Sequence, residues 1–174
     1  MKKITAFLIF LTFFTILILG LFTDTRDVSS PLIGKTIPDF KLTELKTGQE
    51  IDNKFFPENT FLINVWASWC QECTREHALL KNIQQEGIEI IGINYKDNKQ
   101  DALGWLGIYG NPYLFNIYDY DGEYGIEMGV YGVPETFIIS DKGVIIDKFI
   151  GALDEQTVYE KILPKFREIT KSNF

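Results

Sequence analysis

Cys70 and Cys73 are the only thiols in the 174-residue chain, and they stand in "VWASWCQECTREH", residues 65–77. A Cys-x-x-Cys pair can cycle between dithiol and disulfide, supply half of a metal site, or anchor a haem. Haem attachment of the c type needs His directly after the second Cys, and Thr74 occupies that place. Structural zinc needs about four ligands. The cysteines and the single histidine, His77, leave the set short, so no metal site is expected. Redox exchange needs only the two sulfurs. At i and i+3 of a helix they meet on one face, and a thiolate in the first turn is stabilised by free N–H groups and the helix dipole. Cys70 is therefore expected as the nucleophile with a lowered pKa. Cys73, one turn further in and more buried, is expected to resolve the mixed disulfide. The pair needs no cofactor beyond its own disulfide. Trp69, next to Cys70, is expected to wall the sulfur, whereas Trp66 reads as core. His77 reads as a surface helix residue and receives no role.

The elements that must hold this pair can be read from the pattern. "TFLINVW", 60–66, is a near-continuous apolar run of β-formers, as for a strand buried on both faces. "CTREHALLKNIQQEG" reads as a helix stopped at Gly87, and "IEIIGINY", 88–95, as a second buried strand. "NKQDALGWLGIYG" predicts a helix with Leu103 and Leu106 on one face, and "PYLFNIYD" a third central strand. "GEYGIEMGVYG" reads as short and helical or irregular. "ETFIIS" and "VIIDKFI", joined by Asp141-Lys142-Gly143, predict a β-hairpin. The last helix carries Pro164, which is expected to kink or split it. "PDFKL" and "LKTGQEI" give a further hairpin before the first central strand. The order is hairpin, β-α-β-α-β, hairpin, helix. This is an α/β mixed sheet with helices on both faces.

Composition bounds the rest. Formal net charge is −7, from 17 basic and 24 acidic residues, with no basic cluster of the kind phosphate binding needs, so nucleic acid is not an expected partner. Residues 4–22, "ITAFLIFLTFFTILILGLF", carry no charge. As a helix they would span roughly 28 Å, close to a bilayer core. Signal peptides have a shorter apolar core and a small-residue cleavage site, absent from "LGLFTDTRD", so the sequence predicts an uncleaved signal-anchor over residues 1–22. Lys2 and Lys3 precede the span, which places everything after it outside the cytoplasm, where disulfides persist. Residues 23–35 read as a tether and 36–174 as one domain.

"FLINVWASWCQEC", with "GINYKD" (92–97), "GNPY" (110–113) and "GVYGVPETFIIS" (129–140), resembles the CcmG (DsbE) family, the membrane-anchored thiol:disulfide interchange proteins of cytochrome c biogenesis. The resemblance runs from about residue 34 to 170 and implies a thioredoxin-like fold with an N-terminal β-hairpin extension. It implies a single-pass inner-membrane protein whose domain faces the periplasm. Electrons would come from a DsbD/CcdA-type membrane donor and pass to the Cys-x-x-Cys-His thiols of apocytochrome c or to a CcmH-type partner. Pro134 would be a cis-proline facing the cysteines, with Val133 receiving a partner backbone as an added strand. Thioredoxin-like relatives place a buried Asp, the proton acceptor for the resolving thiol, where this chain has Asn64, so Glu76 and Glu135 are the expected replacements. Gln71-Glu72 stands where the family often has Pro after the first Cys. That change frees an N–H and adds a negative charge, with opposite effects on the thiolate. A general periplasmic thioredoxin-like reductase and a Sco-like copper or apoprotein-binding module are the competing readings. The latter usually has Cys-x3-Cys and a distant His.

Overall fold

In the computed structural model, residues 2–21 and 31–172 are described. A first helix, α1 (Lys2–Leu21), is followed by a hairpin of β1 (Lys41–Glu44) and β2 (Glu50–Asp52). Then come β3 (Phe61–Trp66), α2 (Gln71–Gln85), β4 (Ile90–Tyr95), α3 (Lys99–Tyr109) and β5 (Asn116–Asp119). A short α4 (Glu123–Glu127) leads to the hairpin β6 (Glu135–Ile139) and β7 (Ile145–Ile150), and a π-helical stretch (Thr157–Ile162) runs into α5 (Leu163–Ser172). The element order is the expected one.

The strands form one sheet in the order β2-β1-β5-β4-β3-β6-β7. β3, β4 and β5 run parallel, joined by helical crossovers, while β1 and β6 add antiparallel. Each face carries its own core. Leu62 and Trp66 of β3 pack with α2, α3 and the C-terminal helix. Phe61, Ile63 and Val65 pack on the other face with Tyr124 and Met128 around α4 and with Ile37 and Phe40. This alternation follows from the two-residue period of a strand, and every residue of β3 is buried. The sheet is therefore mixed and covered on both faces, as its apolar runs require.

Local signals act as expected at several ends. Gly87, at φ 85°, follows the last turn of α2, and Gly143, at φ 71°, turns the β6–β7 hairpin. Asn98 caps α3 by accepting from the Gln100 and Asp101 N–H groups. Pro164 does not split the last helix. The preceding π-helical turns, in which Leu163 N–H bonds to Val158 O, absorb the proline that lacks a donor. The third central strand is shorter than "PYLFNIYD", because residues 111–115 run as an irregular segment into β5.

Two N-terminal expectations need revision. Among the described residues no helix is long and apolar enough to cross a membrane, so the structure does not carry the span expected over 1–22. Of the tether, residues 23–30 lie outside the described residues. Gly34 and Lys35 already hydrogen-bond to Ile145 and so are tied to the sheet.

Candidate active site

The end of β3 delivers the chain through Ala67-Ser68-Trp69 to Cys70, which caps α2 in extended conformation. Cys70 Sγ accepts the Cys73 N–H at 3.0 Å, the contact that would stabilise a thiolate in the open form. The two sulfurs are joined in a disulfide, so the structure is that of the oxidised state. Cys70 is 5% exposed and Cys73 1%, so Cys70 is the outer sulfur of the two.

The turn before Cys70 is held by a residue that the sequence reading missed. Asp97, buried after β4, accepts from Ser68 N (2.6 Å), Ser68 Oγ (2.7 Å), Asn94 Nδ2 (2.9 Å) and Asn98 N (2.8 Å). Trp69 Nε1 donates to Lys96 O at 3.0 Å. Trp69 is exposed, not core, whereas Trp66 is fully buried. "GINYKD" was legible as a motif, but the pairing of Asp97 with a loop 29 positions away carries no local signal.

Glu76 lies one turn beyond Cys73 on the buried face of α2 and is 0% exposed. Its Oε1 accepts from Asn64 Nδ2 (2.9 Å) and its Oε2 from Leu153 N (2.7 Å). Burial pushes its pKa up to about 7, against the lowering effect of these two donors. Asn64 in turn donates to Thr136 Oγ1 and accepts from Tyr113 OH, so the "GNPY" motif reaches the site through its tyrosine. Glu72, the charge beside Cys70, is paired with Arg75 at 2.8 Å on the helix surface.

Glu135 sits elsewhere. The Asn64↔Thr136 and Val65↔Glu135 pairings of β3 with β6 turn Thr136 toward α2 and Glu135 to the opposite face of the sheet. There its Oε1 accepts from Tyr131 N (3.0 Å), and Lys148 Nζ lies 2.9 Å from Oε2, with both side chains buried. The expected pair of replacement carboxylates is thus not brought together.

The Val133–Pro134 peptide is cis. Pro134 is buried and Val133 half-buried, between exposed Tyr131-Gly132 and the start of β6. Among the described residues the Val133 N–H and C=O have no hydrogen-bond partner, which leaves them available to an incoming strand. His77, expected on the surface, is buried. Its Nε2 lies 3.0 Å from Gly110 O and therefore carries the proton, and its ring packs edge-on to Trp105. Burial lowers its pKa.

Residues 32–163 of the chain match the Redoxin family model. The thiol:disulfide interchange protein DsbE of Allochromatium vinosum is 44% identical over 158 residues, covering 90% of this chain and 87% of that protein. DsbE of Escherichia coli is 39% identical over 150 residues, covering 85% and 81%. The chain belongs to the DsbE (CcmG) family.

Among solved structures, a thiol-disulfide oxidoreductase of Bacteroides fragilis superposes with TM-score 0.64 at 21% identity, over 77% of this chain and 98% of its own. A secreted thiol-disulfide isomerase of Corynebacterium glutamicum gives TM-score 0.65 at 23% identity, over 75% and 85%. These neighbours establish the thioredoxin-like fold. As a DsbE-family member the chain is a thiol:disulfide oxidoreductase, and Cys70 and Cys73 are its only sulfur pair.

Proposed function

We propose that this DsbE-family oxidoreductase is a membrane-anchored periplasmic reductase of cytochrome c maturation. It keeps the Cys-x-x-Cys-His thiols of apocytochrome c, or those of a CcmH-type partner, reduced for haem attachment. In the reduced form the Cys70 thiolate attacks one sulfur of the partner disulfide. That S–S bond breaks, the second partner sulfur leaves as a thiolate, and a mixed disulfide forms. Cys73 passes its proton to the Glu76 carboxylate and attacks Cys70 Sγ. The Cys70–Cys73 disulfide closes and the first partner sulfur departs, so two electrons have moved to the partner. A DsbD/CcdA-type membrane thiol donor then reopens the disulfide. No cofactor other than the sulfur pair enters.

The observation that carries this reading is the buried Glu76, held by Asn64 and Leu153 one turn from Cys73 with its pKa near 7. A carboxylate so placed takes a proton at neutral pH and returns it. The unpaired Val133 backbone supports an extended partner chain. The anchor is supported by the charge-free apolar run of residues 4–22. Its Thr12 and Thr15 hydroxyls donate to carbonyls one turn back, which removes their need for water. Trapping with Cys73→Ser in cells tests the assignment. The expected product is a Cys70 mixed disulfide with a haem-ligation protein. Recovery of unrelated periplasmic proteins alone indicates a general reductase, and unchanged non-covalent binding without a trapped species indicates a binding module.

A further inference from the structure

Lys148 is a cation with a fully buried side chain in a sheet that has no other use for it. It lies on β7, paired with Phe137 of β6, so it points to the face away from the cysteines. Its Nζ is 2.7 Å from Gly129 O and 2.9 Å from Glu135 Oε2. The contact to Glu135 is ionic and not a directed hydrogen bond, because no donor is aligned on Oε2. Glu135 Oε1 accepts from Tyr131 N, and the Tyr131 and Phe137 rings lie 4.5 and 5.2 Å from Nζ. One ammonium and one carboxylate therefore hold Gly129, Tyr131 and Glu135 together. These residues bracket the segment that carries Val133 and Pro134.

We propose that Lys148 and Glu135 are positioning residues, a charge clamp that fixes the 129–135 segment in the pose that receives the partner backbone. The proposal rests on the strand-addition reading above and reassigns Glu135, which relays no proton from Cys73. Two observations favour the clamp over the relay. Glu135 faces the side of the sheet opposite Glu76, and both its oxygens are engaged by Lys148 and Tyr131. An ion pair taken out of water is retained only with further hydrogen bonds, and here these go to the backbone of the segment itself.

The test compares Glu135→Gln, Lys148→Gln and the double variant with two substrates, a small aromatic disulfide and an oxidised Cys-x-x-Cys-His peptide. The clamp predicts that both single variants raise KM for the peptide about three- to tenfold, the worth of one main-chain hydrogen bond. Their rate and pH profile with the small disulfide stay as in the parent protein. The double variant, which leaves no lone buried charge, recovers part of the loss. Far-UV circular dichroism and a melting curve on each variant confirm folding. If Lys148→Gln does not fold, the double variant carries the same KM comparison. An altered pH profile of resolution in Glu135→Gln restores the relay and overturns the clamp, as does an unchanged peptide KM in folded Lys148→Gln. If the parent protein reacts with the small disulfide but not with the peptide, the strand-addition reading fails instead.

Discussion

Replacing Glu76 by Gln should change how stability depends on pH, and the direction follows from linkage. The carboxyl has an ordinary value of 4.5 and is raised to about 7 in the fold by burial. Below about pH 4.5 it is protonated in both folded and unfolded chains and contributes no pH dependence. Between about 4.5 and 7 the unfolded chain has lost the proton while the folded chain keeps it, so folded protein binds more protons and stability falls as pH rises. Above about 7 both are ionised and the loss is complete. A displacement of about 2.5 units at about 1.36 kcal/mol each gives a fall of about 3 kcal/mol across that window. Glu76→Gln removes the proton linkage but keeps a carbonyl for the Leu153 N–H. Urea denaturation at closely spaced pH values, on protein held in the disulfide state, reads the slope directly. The expected result is a parent protein that loses stability from pH 4.5 to 7 more steeply than Glu76→Gln, the two curves differing by about 3 kcal/mol in relative height between the ends of the window. Parallel curves mean that Glu76 is ionised in the fold at ordinary pH, and the proton-acceptor role then loses its basis.

Three further outcomes follow from other parts of the structure. A Cβ at Gly92 would stand 2.0 Å from Asn116 Oδ1 and 2.8 Å from Trp66 Nε1, so Gly92→Ala should break the Trp66–Asn116 hydrogen bond beneath the site. The cost is about 1–3 kcal/mol in thermal or chemical denaturation, and a neutral variant contradicts the packing. His77, buried with Nε2 on Gly110 O, should titrate below the usual 6.5 in an NMR pH series, and an ordinary surface-like titration refutes its placement. Tyr113→Phe removes the donor to Asn64 Oδ1 and weakens the polar chain that stabilises ionised Glu76. The pH midpoint of mixed-disulfide resolution should move upward in that variant, and a downward shift refutes the chain.

What the sequence made legible was local. The strand of residues 61–66, the start of a helix at the Cys pair, the Gly87 stop and the 141–143 turn each rest on neighbours a few positions apart, where period and turn chemistry are decisive. Glu76 came from the family resemblance, which expects a carboxylate near the resolving thiol where Asn64 replaces an Asp. What stayed hidden depends on register between strands. That Glu135 faces away from Glu76 follows only once Asn64 is paired with Thr136, and a one-residue slip would reverse it. Lys148 gave no signal, since one lysine in "VIIDKFI" reads as a strand's solvent face until Phe137 and Glu135 are placed beside it. His77 misled for a related reason. Its helix neighbours Glu72, Arg75 and Lys81 are polar, but α3 and the 110–113 segment cover the His77 side of α2.

The two carboxylates stand in opposite environments on the two faces of one sheet. Glu76 has neutral donors only, and without a cation beside it burial wins and the acid is poised near neutrality. Glu135 is as buried, but it faces an ammonium at 2.9 Å and a backbone N–H at 3.0 Å. The ion pair and that N–H bond tie Glu135 to the backbone of the 129–135 segment. A lysine placed near Glu76 would lower its pKa and slow the resolving step at neutral pH. Loss of Lys148 would leave a second buried carboxyl without its counter-charge, on the face from which it has no path to Cys73. The proposed proton acceptor therefore requires Glu76 to remain without a cation, and the proposed clamp requires Glu135 to have one.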